Sequence, residues 1–449
     1  MSTMAVAPVS PSAQAAQPSI YAERRARLCE RLGPGAALLV LSPPERLRNG
    51  DAHYKYRQDS DILYLTGFAE PGAAVLLRPG HATPFVLFVR PRDPAAETWT
   101  GRRAGVEGAV SAFGADAAFS SDELDDKLGD IVAGAEEIHY PFGREPEQDA
   151  AVGRLLGRLR AGERRGRRAP VRLVDARVTL HEMRLLKSPG EIATLRRAAE
   201  ITAEAHTAAM RAARPGGSER EIEALIDYTF RRRGGAGPGY GTIVGAGVNA
   251  TILHYVENVS PLARGELLLV DAGCEVDGYT ADVTRTFPIG ARFSEPQRRF
   301  YEAVLETQQA AIEMVKPGAT LDQIHEAVVA RLTGHLVSLG ILSGEVPALV
   351  ESGAFKPFYM HRTSHWLGMD VHDIGFYSEN GAARPLVPGM VLTIEPGLYV
   401  AEDAAAPAEF RGLGVRIEDD ILVTATGGEN LTAATPKTVA ELEALTTAA

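Results

Sequence analysis

The chain has 449 residues, of which 45% are hydrophobic and 23% are charged. This length and composition predict two or three domains with substantial hydrophobic cores and argue against a disordered protein. A formal net charge of -11 argues against a nucleic-acid-binding protein and leaves small molecules or peptides as substrates.

The cysteines and the N-terminal segment predict a protein of the cytoplasm. Cys29 and Cys274 are the two cysteines, and so few thiols indicate a reducing compartment without a disulfide framework. Residues 1–19 are rich in Ala, Ser and Pro and lack the basic start and compact apolar run of a signal peptide, so we expect a disordered tail. No apolar run reaches the roughly 18 residues of a membrane span, and we expect no contact with membranes.

Residues 20–180 have the pattern of an α/β domain. A helix is predicted near Tyr21–Leu32, ahead of the first apolar strand. Short apolar strands, with Gly and Pro between them, are predicted at Ala37–Leu41, Ala74–Leu77 and Phe85–Val89.

Residues 188–440 form a second predicted domain in which helices alternate with groups of strands. Four helix starts carry capping boxes, in which a Ser or Thr is followed three residues later by Glu or Gln: Ser188/Glu191, Ser218/Glu221, Ser294/Gln297 and Thr320/Gln323. Strands are predicted within 241–287 and at His361–His365, Val391–Pro396 and Val415–Thr424. This order predicts an α+β domain with an internal duplication.

A pair of aspartates gives the strongest chemical signal. Leu267–Asp271 is predicted to be a buried strand that ends in a carboxylate, Asp277 and Gly278 form a turn signal, and Asp282 follows on the returning strand. A hairpin would bring the two carboxylates to one point. A lone Asp usually marks only the end of a strand, but a buried pair of negative charges needs a partner.

Two glutamates and a histidine extend this pattern. Glu395 ends an apolar strand, and strand alternation places Arg416 and Glu418 on one face of their segment. A structural salt bridge between the two is one interpretation; in the other, Arg416 holds Glu418 in place as a metal ligand. Together with His365, four carboxylates and one imidazole suit two divalent cations that share bridging oxygens, and they do not suit a thiolate zinc site.

Further histidines lie close to His365 in the sequence. His361, His365 and His372 fall within a segment of twelve residues, whereas a solitary histidine is usually a core or surface residue. The spacing of His254, which follows a glycine-rich loop, does not by itself distinguish a residue of the site from a core or surface histidine. A paired-metal site can turn water into a nucleophile near neutral pH, so this set predicts metal-assisted hydrolysis.

Longer motifs surround these residues along most of the chain. They are Tyr56-Arg-Gln-Asp-Ser-Asp61, Tyr64-Leu-Thr-Gly-Phe68, Trp99-Thr-Gly-Arg-Arg103, Asp271-Ala-Gly-Cys274, Asp282-Val-Thr-Arg-Thr-Phe-Pro288, Ser364-His-Trp-Leu-Gly368, Val371-His-Asp373, Thr393-Ile-Glu-Pro-Gly397 and Arg416-Ile-Glu-Asp-Asp420. From about residue 20 to residue 435 the pattern resembles the aminopeptidase P (Xaa-Pro aminopeptidase) branch of the pita-bread metallopeptidases, which also include prolidase and methionine aminopeptidase.

The resemblance implies a fold and a cofactor. The fold would be α+β, with a creatinase-like N-terminal α/β domain followed by a pita-bread catalytic domain made of duplicated αββ halves. The cofactor would be two divalent metal ions, with manganese expected first and zinc, cobalt or magnesium as alternatives. The relatives are usually dimers or tetramers, so the resemblance also implies a homodimer or homotetramer.

The resemblance further implies roles for individual residues. The metal ligands would be Asp271, bound to one ion, Asp282 and Glu418, which would bridge both ions, and His365 and Glu395, which would complete the set. The catalytic residues would be His254, His361, His372 and Glu395, of which Glu395 would pass a proton from water to the leaving proline nitrogen. The substrate-binding residues would be Trp99 and Tyr377, and Trp99 matches a tryptophan that can lie near a neighbouring subunit's active site. The loop 378–385 departs from the family pattern in its length and in the position of its arginine.

The implied substrate is a peptide with proline in the second position, which would be cut after its first residue. Three alternatives remain. A prolidase would use the same ligands but cut only Xaa-Pro dipeptides, and the motifs that begin at Tyr56 and Trp99 favour the aminopeptidase over it. A pita-bread binding protein without catalysis and a metal-free relative of creatinase type are both disfavoured, because all five ligands are present.

Overall fold

The computed structural model describes residues 18–166, 168–290 and 292–447, and the chain divides into two units, Met1–Met183 and Arg184–Ala449. Residues 1–17, which make up most of the expected tail, lie outside the described residues. In the described part of the chain, no helix has the length and apolar character needed to cross a membrane.

The N-terminal unit is built on one mixed sheet. The strands of the unit are β1 (Ala36–Leu41), β2 (Leu47–Asn49), β3 (Ala52–His53), β4 (Ala74–Leu77), β5 (Phe85–Val89), β6 (Ala117–Ser120), β7 (Glu137–Tyr140) and β8 (Arg172–Asp175). Its helices are α1 (Pro18–Leu32), α2 (Ser60–Thr66), α3 (Pro94–Thr100), α4 (Gly105–Ser111), α5 (Leu124–Val132) and α6 (Pro146–Ala161), and α7 (Leu180–Leu185) follows at the junction of the units. Six strands form the sheet in the order β6-β5-β4-β1-β7-β8.

The apolar strands of this sheet lie at its centre. All residues of β4 and β5 are buried, as are all but the last of β1, which is expected for strands that are covered on both faces. The strands β1, β4 and β5 are antiparallel neighbours, whereas β6, β7 and β8 join the sheet in parallel. The sequence-based prediction of these three central strands is confirmed to within one residue.

The C-terminal unit repeats one arrangement of helices and strands. The first half contains α8 (Pro189–Ala212), α9 (Glu219–Arg232), β9 (Gly237–Pro238), β10 (Ile243–Ala246), β11 (Leu267–Asp271), β12 (Cys274–Val276), β13 (Tyr279–Thr280) and β14 (Thr284–Pro288). The second half contains α10 (Glu295–Glu313), α11 (Leu321–Ser338), α12 (Val346–Ser352), β15 (Ser378–Glu379), β16 (Ala382–Ala383), β17 (Val391–Ile394), β18 (Gly397–Tyr399), β19 (Gly414–Arg416), β20 (Asp419–Val423) and β21 (Gly428–Asn430), and α13 (Val439–Thr447) ends the unit.

Each half thus supplies helices followed by a three-stranded antiparallel sheet, with two helices in the first half and three in the second. The sheet orders are β10-β11-β14 in the first half and β17-β20-β21 in the second. One buried apolar cluster spans both halves, with Leu268 and Phe287 from the first and Leu392 and Ile421 from the second. All four predicted capping boxes are present and start α8, α9, α10 and α11.

Two predicted strands differ from the structure. The segment predicted as Val415–Thr424 is two strands, because β19 pairs with β18 whereas β20 pairs with β17, and Glu418 lies in the break between them. His361–His365 is irregular and joins β17 only through scattered backbone bonds, such as Thr393 N to the His365 carbonyl at 3.0 Å. In this segment the Thr363 hydroxyl bonds to the side chains of His325 and Tyr359.

Candidate active site

The five predicted metal ligands line one pocket of the C-terminal unit. The pocket has a volume of about 950 Å³. Asp271 is the last residue of β11, and the other four lie just outside strands: Asp282 before β14, His365 in the irregular segment, Glu395 after β17 and Glu418 before β20. The prediction that each lies in a strand or at a strand end is confirmed for the four carboxylates, whereas His365 lies in an irregular segment.

A tight turn brings the two aspartates together. Asp277 and Gly278 have φ angles of 49° and 81°, which suits the two-residue type I′ connection between β12 and β13. The chain then returns so that β14 pairs antiparallel with β11 and Thr284 lies opposite Asp271. The Tyr240 hydroxyl lies 2.6 Å from Asp271 Oδ1 and 2.5 Å from Asp282 Oδ1, which fixes one oxygen of each carboxylate.

The orientation of the His365 ring leaves Nε2 as the nitrogen that can bind a metal ion. Its Nδ1 donates to the Trp366 carbonyl at 3.0 Å, so Nε2 faces the site, 3.4 Å from Asp282 Oδ2 and 3.5 Å from Glu395 Oε1. One ligand atom from each of Asp282, His365 and Glu418 lies within 4.8 Å of the others. A backbone carbonyl behind the ring is the usual support of a metal-binding imidazole.

Arg416 supports the carboxylates in a different way from the one expected. Its Nη2 donates to Asp271 Oδ2 at 2.6 Å, and its Nε donates to Thr284 Oγ1 at 3.0 Å. The Thr284 hydroxyl in turn donates to Glu418 Oε2 at 2.6 Å. Arg416 therefore holds Asp271 directly and Glu418 through Thr284, so the expected direct pair with Glu418 is replaced by a relay.

The electrostatics of the site fit divalent cations. Burial, followed by repulsion from neighbouring carboxylates, raises the pKa of Glu418 well above its ordinary value, and burial also raises that of Asp282. Burial together with the charges of Asp282 and Asp271 raises the pKa of Glu395 to about 7. Burial alone would lower the pKa of His365, but its contact with Asp282 and the charge of Glu395 raise it to about 9. Crowded carboxylates that favour protons also favour metal ions, which would compete for the same oxygens and for the His365 nitrogen.

Two of the three predicted catalytic histidines are held by neighbours. His361 Nδ1 donates to the Arg362 carbonyl at 2.8 Å, and His361 Nε2 lies 2.9 Å from the Tyr399 hydroxyl. Burial lowers the pKa of His361 to about 4, so its imidazole is neutral near pH 7. The ring of His372 meets that of His365 edge to face, with centroids 4.5 Å apart.

His254 is exposed and lines the pocket. A charge on His254 contributes to lowering the pKa of His361 and of His372. The structure thus brings all three predicted histidines to the same pocket as the carboxylates.

The two predicted substrate-binding residues have different positions. Tyr377 lines the pocket, stacks on Trp366 with ring centroids 5.3 Å apart, and accepts a hydrogen bond from Trp366 N at 3.2 Å. Trp99 lies on α3 in the N-terminal unit, and 88% of its surface is exposed. Trp99 therefore belongs to a different unit from the one that contains the pocket residues.

Sequence reasoning missed four residues that hold the site together. They are Tyr240, Thr284, Tyr399 and Asp420, whose carboxylate accepts from Asp282 N at 3.1 Å. Thr284 and Asp420 each follow a predicted ligand by two residues, so strand alternation was a usable signal for them. Tyr240 and Tyr399 have no comparable local signal, because their roles depend on contacts between distant segments.

Known families and structures match nearly the whole chain. The model of metallopeptidase family M24 matches residues 193–425, which is more than half of the 449 residues. The chain belongs to metallopeptidase family M24. Residues 21–139 also match the aminopeptidase P N-terminal domain.

Individual M24 relatives are similar over their full length. The Xaa-Pro aminopeptidase of Escherichia coli strain K12 is 46% identical over 431 residues, which cover 96% of this chain and 98% of the relative. The structure of Pseudomonas aeruginosa aminopeptidase PepP has a TM-score of 0.93 with 46% identity, over 96% of this chain and 98% of that one. A zinc-substituted E. coli aminopeptidase P in complex with product has a TM-score of 0.92 with 46% identity, over 96% and 98% of the two chains.

These matches confirm the predicted fold class. The chain is α+β, with an N-terminal domain of the aminopeptidase P type followed by an M24 catalytic domain. Membership of M24 implies a divalent-metal site, and the carboxylates and imidazole of the pocket supply suitable ligands for it.

Proposed function

We propose that the chain is an Xaa-Pro aminopeptidase, which releases the first residue from peptides with proline in the second position. The observation that carries this proposal is the convergence of four carboxylates and His365 in one pocket of a chain that is 46% identical to the E. coli Xaa-Pro aminopeptidase across nearly its whole length. The converging side chains are suitable ligands for divalent metal ions, and the sequence identity extends over both units.

In this proposal the metal ions would be held by Asp271, Asp282, His365, Glu395 and Glu418. The cofactor is two divalent ions, manganese first, with zinc, cobalt or magnesium as alternatives. When bound, such ions lower the pKa of a coordinated water and polarise a carbonyl group. The charge balance of the pocket supports this assignment, because Arg416 and His365 face four carboxylates and Asp420.

The remaining steps belong to side chains. The bond before proline is a tertiary amide without an N–H, so recognition cannot depend on a hydrogen bond donated by the scissile nitrogen. In this proposal Glu395 accepts a proton and passes it to the leaving proline nitrogen. Neutral His361 would donate to the developing oxyanion from Nδ1, which lies 3.8 Å from Glu395 Oε2. This requires Nδ1 to release the Arg362 carbonyl.

A peptide series tests the function. The protein is stripped of metal with a chelator, manganese, zinc, cobalt or magnesium is restored separately, and Xaa-Pro-Yaa tripeptides are compared with Xaa-Pro dipeptides. We expect metal-dependent release of the first residue from tripeptides and loss of turnover in Asp282→Ala and Glu418→Ala. Cleavage of dipeptides alone would indicate a prolidase, and metal-independent turnover or activity in the alanine variants would refute the ligand assignment.

Assembly and location complete the proposal. We propose a homodimer or homotetramer in the cytoplasm, in which a neighbouring copy covers Trp99. The 88% exposure of this large aromatic side chain supports the proposal. Light scattering coupled to size-exclusion chromatography tests it, and a monomer at working concentrations would contradict it.

A further inference from the structure

The loop that carries His254 exposes several of its aliphatic side chains. It joins β10 to β11, and three of its aliphatic side chains, Ile252, Val256 and Val259, are more than half exposed. Other parts of the loop are anchored, because Tyr255 and Leu262 are buried and the Asn258 side chain bonds to Val244 N and to the Thr242 carbonyl. Since His254 lies within this loop and lines the pocket, whatever fixes the loop also fixes the histidine.

Glu219, the first residue of α9, binds this loop at four points. It is fully buried. Its Oε1 accepts from Ala246 N at 2.8 Å and Asn249 Nδ2 at 2.9 Å. Its Oε2 accepts from the Tyr255 hydroxyl at 2.9 Å and Ser260 N at 2.7 Å. The four donors are spread over residues 246–260, so one carboxylate ties this part of the loop to the start of a helix.

The four hydrogen bonds need acceptors at both oxygens of Glu219. All four described donors are neutral groups, and Glu219 is the first residue of α9, a position that favours an acidic side chain. Two of the donors, Ala246 N and Ser260 N, are backbone groups on opposite sides of the carboxylate, so the site needs an acceptor at both oxygens.

Capping of α9 does not require Glu219. That role belongs to Glu221, whose Oε2 accepts from Ser218 N at 3.0 Å in the capping box. The Tyr255 ring packs with Ile243 and Leu269 in a small buried cluster, so the hydroxyl bond to Glu219 joins this cluster to the helix. Tyr255 is the neighbour of His254 in sequence, which places the tie one residue from the histidine.

We infer that Glu219 is a positioning residue, which holds the 246–260 loop to α9 so that His254 stays directed into the pocket. The inference rests on the proposed function, since it assigns His254 a part in turnover of Xaa-Pro peptides. Glu219 itself acts through the loop and does not touch the reacting atoms.

The test uses the isosteric variant Glu219→Gln. A glutamine keeps the shape but presents a donor at one of the two oxygen positions, so it opposes either Ala246 N or Ser260 N. The matched control is Glu221→Gln, which alters the first turn of the same helix without touching the loop. Tyr255→Phe is a milder second variant, because it removes one donor and keeps the ring in its cluster.

Two measurements read out the variants in the full-length protein. Steady-state kinetics with an Xaa-Pro-Yaa tripeptide should show kcat reduced by about tenfold or more in Glu219→Gln, with a smaller change in KM, because a displaced catalytic group costs rate more than binding. Hydrogen exchange of the metal-free protein should show faster exchange at Ala246 and Ser260 in Glu219→Gln and wild-type rates in Glu221→Gln. Tyr255→Phe should change both readouts in the same direction by less.

A double-mutant comparison decides whether the effect passes through His254. In a His254→Ala background, Glu219→Gln should have no further effect on kcat. An equal fall of kcat in both backgrounds, or unchanged kcat and exchange in Glu219→Gln of an active protein, would overturn the inference alone. A wild-type protein that cleaves no Xaa-Pro peptide would instead refute the proposed function, and the catalytic part of the inference with it.

Discussion

A buried histidine on α8 makes the stability of the C-terminal unit sensitive to acid. His206 is fully buried, its Nε2 donates to the Ala272 carbonyl at 3.1 Å, and its Nδ1 has no hydrogen-bond partner among the described residues. Burial lowers the pKa of His206 to about 4 from an ordinary value of 6.5. Protonation of Nδ1 would place a charge in a fully buried position.

The sign and size of the effect follow from the two pKa values. The unfolded chain takes up a proton below pH 6.5, whereas the folded chain does not do so until about pH 4. Stability from neutral His206 is therefore complete above pH 6.5 and is lost as the pH falls from 6.5 to 4. At about 1.4 kcal/mol per pH unit, this window amounts to about 3 kcal/mol of the free energy of unfolding.

Urea unfolding of metal-free protein at several pH values between 7.5 and 4.5 measures the loss. The two tryptophans allow the units to be separated, because Trp366 is buried in the C-terminal unit and Trp99 is exposed in the other. In a Trp99→Phe background, Trp366 fluorescence therefore follows the unit that contains His206. We expect His206→Gln, whose amide can replace the Nε2 donor, to be less stable than the parent at pH 7.5 but to lose much less stability on acidification.

A difference in the free energy of unfolding that does not change with pH would refute this reasoning. If the free energy of unfolding of His206→Gln and of its parent differ by the same amount at every pH, the buried neutral histidine is not the source of the acid sensitivity. The matched control is His53→Gln, at an exposed position, which should keep the full pH dependence of the parent.

Other predictions concern the pocket. Arg416→Lys should weaken metal binding about 10- to 100-fold, because a lysine cannot donate to Asp271 and Thr284 together; isothermal titration calorimetry measures this, and unchanged affinity would show that the relay is dispensable. Thr284→Val should lower metal affinity by up to about tenfold through loss of the hydroxyl bond to Glu418, and Thr284→Ser, which keeps the hydroxyl, is a comparison variant that should keep metal affinity. His361→Ala should lower kcat about 10²- to 10³-fold with metal content unchanged by elemental analysis, and a defect explained wholly by metal loss would exclude an oxyanion role. Manganese at about 100 times its dissociation constant should add about 2.7 kcal/mol to the free energy of unfolding, and thermal scans with and without chelator check this.

Local signals in the sequence predict much of this fold, because their physics is local. The capping boxes at Ser188, Ser218, Ser294 and Thr320 depend on residues three apart, and all four are present in the structure. The turn at Asp277 likewise depends on the preference of two adjacent residues for positive φ.

Features that depend on distant partners were beyond the reach of local patterns. The split at Glu418 arises because β19 and β20 pair with different strands, and alternation alone predicts one continuous strand. The same limit applies to Arg416, whose partner Asp271 lies 145 residues away, and to the Tyr240 hydroxyl between two aspartates. The carboxylates could be recognised from the sequence because buried charges need partners. The residues that hold those carboxylates in place could not be recognised in the same way.

The pocket draws its acidic and imidazole groups from both halves of the duplicated unit. Asp271 and Asp282 come from the first half and His365, Glu395 and Glu418 from the second, so neither half owns a complete coordination set. Metal affinity therefore depends on how the two halves pack against each other. A mutation that separates the halves should release the ions even though every ligand remains in the chain.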